Sequence, residues 1–263
     1  MDLLNKGISQ LTEMLSKGEI SSEELTRKYI EQIEEKDIKL KAYSEITKGL
    51  AIKKAREIDE KRKKGEKLGV LAGIPMAITD DISTKDILTT VGSKMLKNYI
   101  PPFNATVVER LLKEDAIILG KLKVEEFGTT TFNSTVVVGK NEVVFALGTD
   151  AGGSTREAAL YNGVLSMKPT YGMVSRYGAM GNTSTFDQIG PITKNTKDMA
   201  TILNIIVGYD KRDSTSIKKE KIDYTKALTK DIKGMKIGLL KEAVEENKEM
   251  AEEVIGQLRE LGA

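Results

Sequence analysis

Val143-Val144-Phe145-Ala146-Leu147-Gly148-Thr149-Asp150-Ala151-Gly152-Gly153-Ser154-Thr155-Arg156 is the stretch that decides the fold. Its first five residues are an unbroken apolar run, short enough for a strand buried on both faces. The run stops at a glycine-rich loop. Beyond it Glu157 to Ala159 is a small-residue stretch that can begin a helix. A buried strand running through a tight loop into a helix is the building unit of layered α/β proteins.

The same texture extends on both sides. Ile74 to Ile78, Ala116 to Leu119 and Val164 to Met167 read as further strands. Between the first two, a helix is expected from about Ala105 to Glu114, capped by Asn104. Thr196 to Val207 reads as another helix, with Met199, Ile202, Leu203 and Ile206 facing inward. Asp187-Gln188-Ile189-Gly190-Pro191 on its own says only turn. The first 65 or so residues read as helices. One carries Leu4, Ile8, Leu11 and Leu15 and stops at Gly18; a second starts at a Ser21/Glu24 capping box and buries Leu25, Tyr29 and Ile33; a third runs from about Glu45 to Lys64. The expectation is a single domain over 1–263, with N-terminal helices to about 65 and an α/β core over about 69–263. Its sheet is mostly parallel or mixed. Lys236 to Leu240 reads as a strand, followed by a helix with Met250, Val254, Leu258 and Leu261 on one face. An α/β unit would turn there into its next strand, so either this helix is the last element or the sequence is cut, and the reading leans towards cut.

Composition removes whole classes of chemistry. The 263 residues contain no Cys and no His, which excludes disulfides, thiolate metal sites, a Cys nucleophile, an imidazole base and a Ser-His-Asp triad. Catalysis must use Ser, Thr, Lys, Tyr, carboxylates or backbone amides; no metal and no cofactor is expected. The 41 Lys and Arg against 39 Asp and Glu argue against a dedicated nucleic-acid surface. The run Lys61-Arg62-Lys63-Lys64 is read as a solvated helix face. No segment approaches the roughly 18 apolar residues of a membrane span, and the cytoplasm is the default location.

Two loops can carry chemistry. Glycines at 152 and 153 allow successive amides to converge on an oxyanion, with Ser154 beside them as a natural nucleophile and Arg156 placed to hold a carboxylate. The bland alternative is a glycine turn with a capping Ser. Lys168, in Lys168-Pro169-Thr170-Tyr171-Gly172, can activate a Ser or pair with a surface carboxylate.

Together these loops resemble a family. Leu71-Ala72-Gly73-Ile74-Pro75-Met76-Ala77-Ile78, the stretch Gly152 to Arg156, Lys168 to Gly172 and Asp187 to Pro191 occur in the order of the amidase signature family. Ser93-Lys94-Met95-Leu96, Pro101 to Glu109 and Ser175-Arg176-Tyr177-Gly178 resemble its branch of glutamine-hydrolysing A subunits of tRNA-dependent amidotransferases. The resemblance implies a mixed central sheet flanked by helices. It also implies an amide hydrolase using a nucleophilic Ser, a bridging Ser and a Lys that must be neutral to accept a proton. In such an assembly ammonia freed from glutamine passes to a partner. Glutamine and the B and C subunits are thus the implied partners, with no direct nucleic-acid contact and no membrane.

Carried over by resemblance, Ser154 is the acyl-forming nucleophile and Ala151, Gly152 and Gly153 supply the oxyanion backbone. Asp150 and Arg156 match residues that shape the nucleophile loop, Arg156 and Asp187 are assigned to substrate binding, and Asp187 borders the cleft. Two departures matter. Thr79, followed by Asp80 and Asp81, stands where the family has its Lys, and a threonine hydroxyl is no base near neutral pH. The Gly-Ser-rich segment carrying the bridging Ser, expected between Phe127 and Leu147, reads as deleted. The chain also ends at about half the family's usual length. Groups that act as one relay are non-additive, so losing one costs nearly as much as losing all. The expectation is an amidase whose catalysis is crippled or lost. The alternatives are a non-catalytic scaffold (degenerate copy, fragment or engineered minimal version) and a partner-binding module.

Overall fold

The computed structural model describes residues 3–128, 133–181, 183–229 and 231–263. It divides into two compact units, Met1–Thr225 and Lys226–Ala263, where the sequence pattern predicts one domain.

The first unit opens with α1 (Ile8–Lys17) and α2 (Ser22–Leu40). α1 buries Ile8, Leu11, Met14 and Leu15, and Gly18 ends it in the left-handed region at φ 69°, donating its amide to the Leu15 and Met14 carbonyls. The Ser21 hydroxyl accepts from the Glu24 amide at 3.1 Å while Glu24 reaches back to the Ser21 amide at 2.8 Å, the reciprocal cap expected there. The third helix begins later than its charge pattern suggests. Tyr43–Ile46 is a strand, β1, and α3 covers Lys48–Lys63. Four residues with one buried aromatic carry little periodic signal, and pairing with a neighbour decides them.

That neighbour is β3 (Ile117–Leu122), in a six-stranded sheet with β2 (Pro75–Thr79), β4 (Phe145–Asp150), β5 (Leu165–Ser166) and β6 (Gln188–Thr193). The order is β1-β3-β2-β4-β6-β5. β2 runs parallel to β3 and β4, whereas β1 is antiparallel to β3, and β6 to β4 and β5, so the sheet is mixed. Every residue of β2, β3 and β4 is buried, which is why they are apolar at most positions and polar chiefly towards their carboxyl ends. β6 overturns the turn expected at Asp187–Pro191: only Asp187 precedes it, and Pro191 sits in the strand opposite Leu147. A proline and a glycine mask a strand in sequence. Gly190 is nevertheless obligatory, since a Cβ there would lie 1.9 Å from the Met167 carbonyl oxygen.

α4 (Thr106–Lys113), α5 (Asn133–Gly139), α6 (Ser154–Asn162) and α7 (Thr196–Ile206) complete the unit. Ala105, not Asn104, occupies the cap position of α4; the Asn104 side chain instead accepts from the Lys85 amide at 2.7 Å. α5 has no counterpart among the helices expected from sequence. The run Lys61 to Lys63 is tied down by carboxylates: Lys61 to Asp115, Arg62 to Asp59 and Lys63 to Glu60.

The second unit holds α8 (Lys241–Glu246) and α9 (Lys248–Glu260). The strand expected at Lys236–Leu240 is not formed: Ile237, Leu239 and Leu240 are exposed and, among the described residues, no strand pairs with them. An isolated strand leaves its backbone donors and acceptors unmatched. On α9, Met250 and Val254 of the expected apolar face are likewise exposed. Among the described residues, no helix is long and apolar enough to cross a membrane.

Candidate active site

Parallel strands finish on one edge of a sheet, the edge where open α/β sheets collect ligands. Here that edge gathers Thr79 at the end of β2, Leu122 at the end of β3 and Asp150 at the end of β4. Ser154 is the first residue of α6, just past the loop that follows β4. The intervening turn needs Gly153, whose φ of 134° side chains rarely adopt.

Asp150 builds the loop. Its buried carboxylate accepts from the Thr155 hydroxyl at 2.9 Å and the Arg156 amide at 3.2 Å. The Arg156 guanidinium adds bonds from Nε at 3.1 Å and Nη2 at 2.9 Å. Burial works to raise this carboxyl, but the guanidinium, hydroxyl and amide outweigh it and hold it below the ordinary aspartate value. Arg156 is thus occupied by a carboxylate of its own loop. Two straps come from beyond α6: the Ser166 hydroxyl donates to Thr155 Oγ1 at 2.8 Å, and Lys168 Nζ donates to the Ala151 carbonyl at 2.8 Å.

With Asp150 and Lys168 fixing both sides, the amides of Ala151, Gly152 and Gly153 make no hydrogen bond among the described residues. Unspent donors in a constrained turn are what a developing oxyanion needs. Ser154 Oγ donates to the Thr149 carbonyl at 3.2 Å. Asp187 lies next to this end of β4 because β6 pairs Asp150 with Gln188. It lines a cavity of about 270 Å³ together with Thr149, Arg176, Gln188 and Arg212, and its Oδ2 accepts from the Thr183 amide at 2.8 Å.

At the end of β2, Thr79 is fully buried, and its hydroxyl acts on the neighbouring Asp81 carboxyl. Asp80 accepts from the Thr90 amide at 3.0 Å and the Thr90 hydroxyl at 2.5 Å. Asp81 accepts from the Thr149 hydroxyl at 2.5 Å, joining β2 to β4. Burial pushes both carboxyls above the ordinary value. Close to both stands a residue that the sequence reasoning missed. Lys121 of β3 is wholly buried, donating to the Ile82 carbonyl and to Thr84 Oγ1. Burial pulls its amine down to about 8 although Asp80 and Asp81 favour the charged form. The signal was present: a lysine inside the apolar run Ile117 to Leu122. The segment in which a bridging Ser would be sought includes Thr129–Phe132, which lie outside the described residues.

The Amidase family model matches residues 24–139 and 133–263. The A subunit of glutamyl-tRNA(Gln) amidotransferase from Thermoanaerobacter pseudethanolicus is 47% identical over all of this chain and 60% of its own length. Its counterpart from Staphylococcus haemolyticus is 41% identical with the same coverage. Among solved structures, the counterpart from Thermotoga maritima superposes with a TM-score of 0.86 at 30% identity, covering all of this chain and 61% of that one. An amidase family protein from Bacillus anthracis gives 0.90 at 32%, covering all of this chain and 60% of that one. The chain therefore spans about three fifths of the length of these relatives. The match to the Thermoanaerobacter protein runs over 292 positions against 263 residues here, so that relative carries residues within the matched span that this chain lacks. The two matched family segments overlap over 133–139, within the stretch from Phe127 to Leu147 where the deletion is expected.

Proposed function

Because the chain belongs to the amidase family, we propose that it is a member of the tRNA-dependent amidotransferase A-subunit type that keeps the nucleophile loop and has lost efficient amide hydrolysis. The observation that carries this reading is Thr79. It stands at the buried end of β2, where the resemblance expects a Lys, and its hydroxyl cannot take a proton from a serine near neutral pH. The opposite half of the site is built for the reaction: Ser154 opens α6, Asp150 and Arg156 brace the turn, and the amides of Ala151 to Gly153 are left for an oxyanion.

On this reading a carbonyl docked against those amides would be polarised, and attack by Ser154 would have to proceed without the usual relay. Oxyanion stabilisation alone supports a residual rate of about 10³–10⁴ over water in serine hydrolases stripped of their triad. Glutamine is the amide that the relatives' type points to, and the B and C subunits of such an assembly are the partners it implies. Asp187 and the cavity beside Thr149 would receive the substrate, while Arg156 acts through Asp150.

The test is ammonia release from glutamine and a simple amide by folded wild type and Ser154→Ala. Equal rates at background support the reading. Release by wild type that vanishes in Ser154→Ala overturns it and would mean that another group activates Ser154.

A further inference from the structure

We propose that a second pocket on the same sheet edge, bounded by Lys94, Lys97 and Lys123, binds a small phosphorylated ligand. It lies across β2 from the Ser154 loop. Asp80 follows β2, Lys123 follows β3, and Ser44 of β1 with Thr90 closes the side; the volume is about 410 Å³. That size falls in the range of ligand sites, and its place beyond the carboxyl ends of two parallel strands is where such sheets take ligands.

The charge is one-sided. Lys94 and Lys97 form no ion pair among the described residues. Asp80 is the one carboxylate on the wall among the described residues, and it is buried, with one oxygen given to Thr90 and Lys121 nearby. Burial also raises that carboxyl, which weakens its opposition to an anion. The turn that carries the lysines is fixed: the Ser93 hydroxyl accepts from the Met95 amide at 3.2 Å and donates to Glu126 at 2.8 Å. This gives a role to Ser93-Lys94-Met95-Leu96, a motif that amide hydrolysis leaves unused. The hydroxyls of Ser93 and Thr90 are already committed, so recognition rests on the ammonium groups of Lys94 and Lys97. Such point charges favour a compact multiply charged phosphate over a single carboxylate.

The inference stands apart from the amidase reading, and its test reads binding alone. Inorganic pyrophosphate is titrated calorimetrically into the full chain, its Lys94→Ala/Lys97→Ala variant and Ser154→Ala, with acetate as the single-carboxylate control at matched ionic strength. Saturable binding near one per chain is expected. It should weaken roughly tenfold or more in the double-lysine variant, the effect of losing charge-assisted contacts, and be unchanged in Ser154→Ala. Circular dichroism checks that the variant is folded. No saturable binding, equal binding by the lysine variant, or acetate binding as tightly as pyrophosphate would each overturn the proposal.

Discussion

Asp81 Oδ2 accepts a hydrogen bond from Thr149 Oγ1 at 2.5 Å, tying the residues that follow β2 to the strand that delivers the nucleophile loop. This carboxyl is fully buried, and of the groups that offset its desolvation the Thr149 hydroxyl contributes most, ahead of Thr79 and Lys121. Thr149→Val keeps the shape and removes the donor. Stability should fall by about 1–3 kcal/mol, the cost of leaving a buried polar group unmet, as read by urea unfolding near pH 7. An unchanged midpoint would show that Asp81 is already neutral and indifferent to Thr149.

Glu142 offers a pH test away from the site. It is fully buried, neither carboxylate oxygen has a partner among the described residues, and burial followed by the nearby Asp37 pushes it up to about 7 from 4.5. Below about pH 4.5 it is protonated in both folded and unfolded chains and adds no penalty. As pH rises from there towards 7 the unfolded chain ionises first, so this group erodes stability, by on the order of 3 kcal/mol once the folded form ionises too. Glu142→Gln should flatten that decline in denaturation curves taken from about pH 4.5 to 8. A decline of the same slope in the variant would assign it elsewhere.

Arg156→Ala isolates the brace. The guanidinium is half exposed, so its loss should cost only about 1 kcal/mol at neutral pH. Asp150 is held below its ordinary value, so its share of stability is present above the unfolded-state value and is lost as pH falls through the folded one. The variant should show less acid-dependent loss, together with an Asp150 carboxyl resonance that titrates closer to the ordinary value. A full-sized acid transition in Arg156→Ala would assign the depression to the Thr155 and Arg156 backbone contacts.

Gly190→Ala tests the sheet. The added Cβ would overlap the Met167 carbonyl, so β5 must leave β6 or the strand must bend, at about 3 kcal/mol or more. Soluble, normally cooperative protein with an unshifted midpoint would contradict the close packing of those strands.

Much of the fold is legible in the sequence. The strands β2, β3 and β4 announce themselves because a strand buried on both faces is apolar at nearly every position, and Ser21 with Glu24 marks the start of α2 by side-chain chemistry alone. What escapes depends on partners far away in sequence. β1 is made by pairing with β3, and Gln188 to Thr193 hides a strand behind a glycine and a proline that its neighbours tolerate. Arg156 reads as a ligand-holding cation until Asp150, earlier in the same loop, is seen to take its guanidinium. Lys121 is easily passed over because a lysine in an apolar run breaks the pattern, although that very break marks a buried charge close to Asp80 and Asp81. Lys236 to Leu240 errs in the other direction, since local pattern without a pairing strand makes no sheet.

The most direct test of the central claim is covalent labelling of Ser154 by a sulfonyl fluoride, followed by peptide mass spectrometry of the folded chain. An activated serine reacts because a base draws off its proton as the bond to sulfur forms. If the site has its loop but not its relay, Ser154 should stay unmodified over hours, at the level of other exposed serines. Stoichiometric modification confined to Ser154, and abolished by Ser154→Ala, would contradict the account.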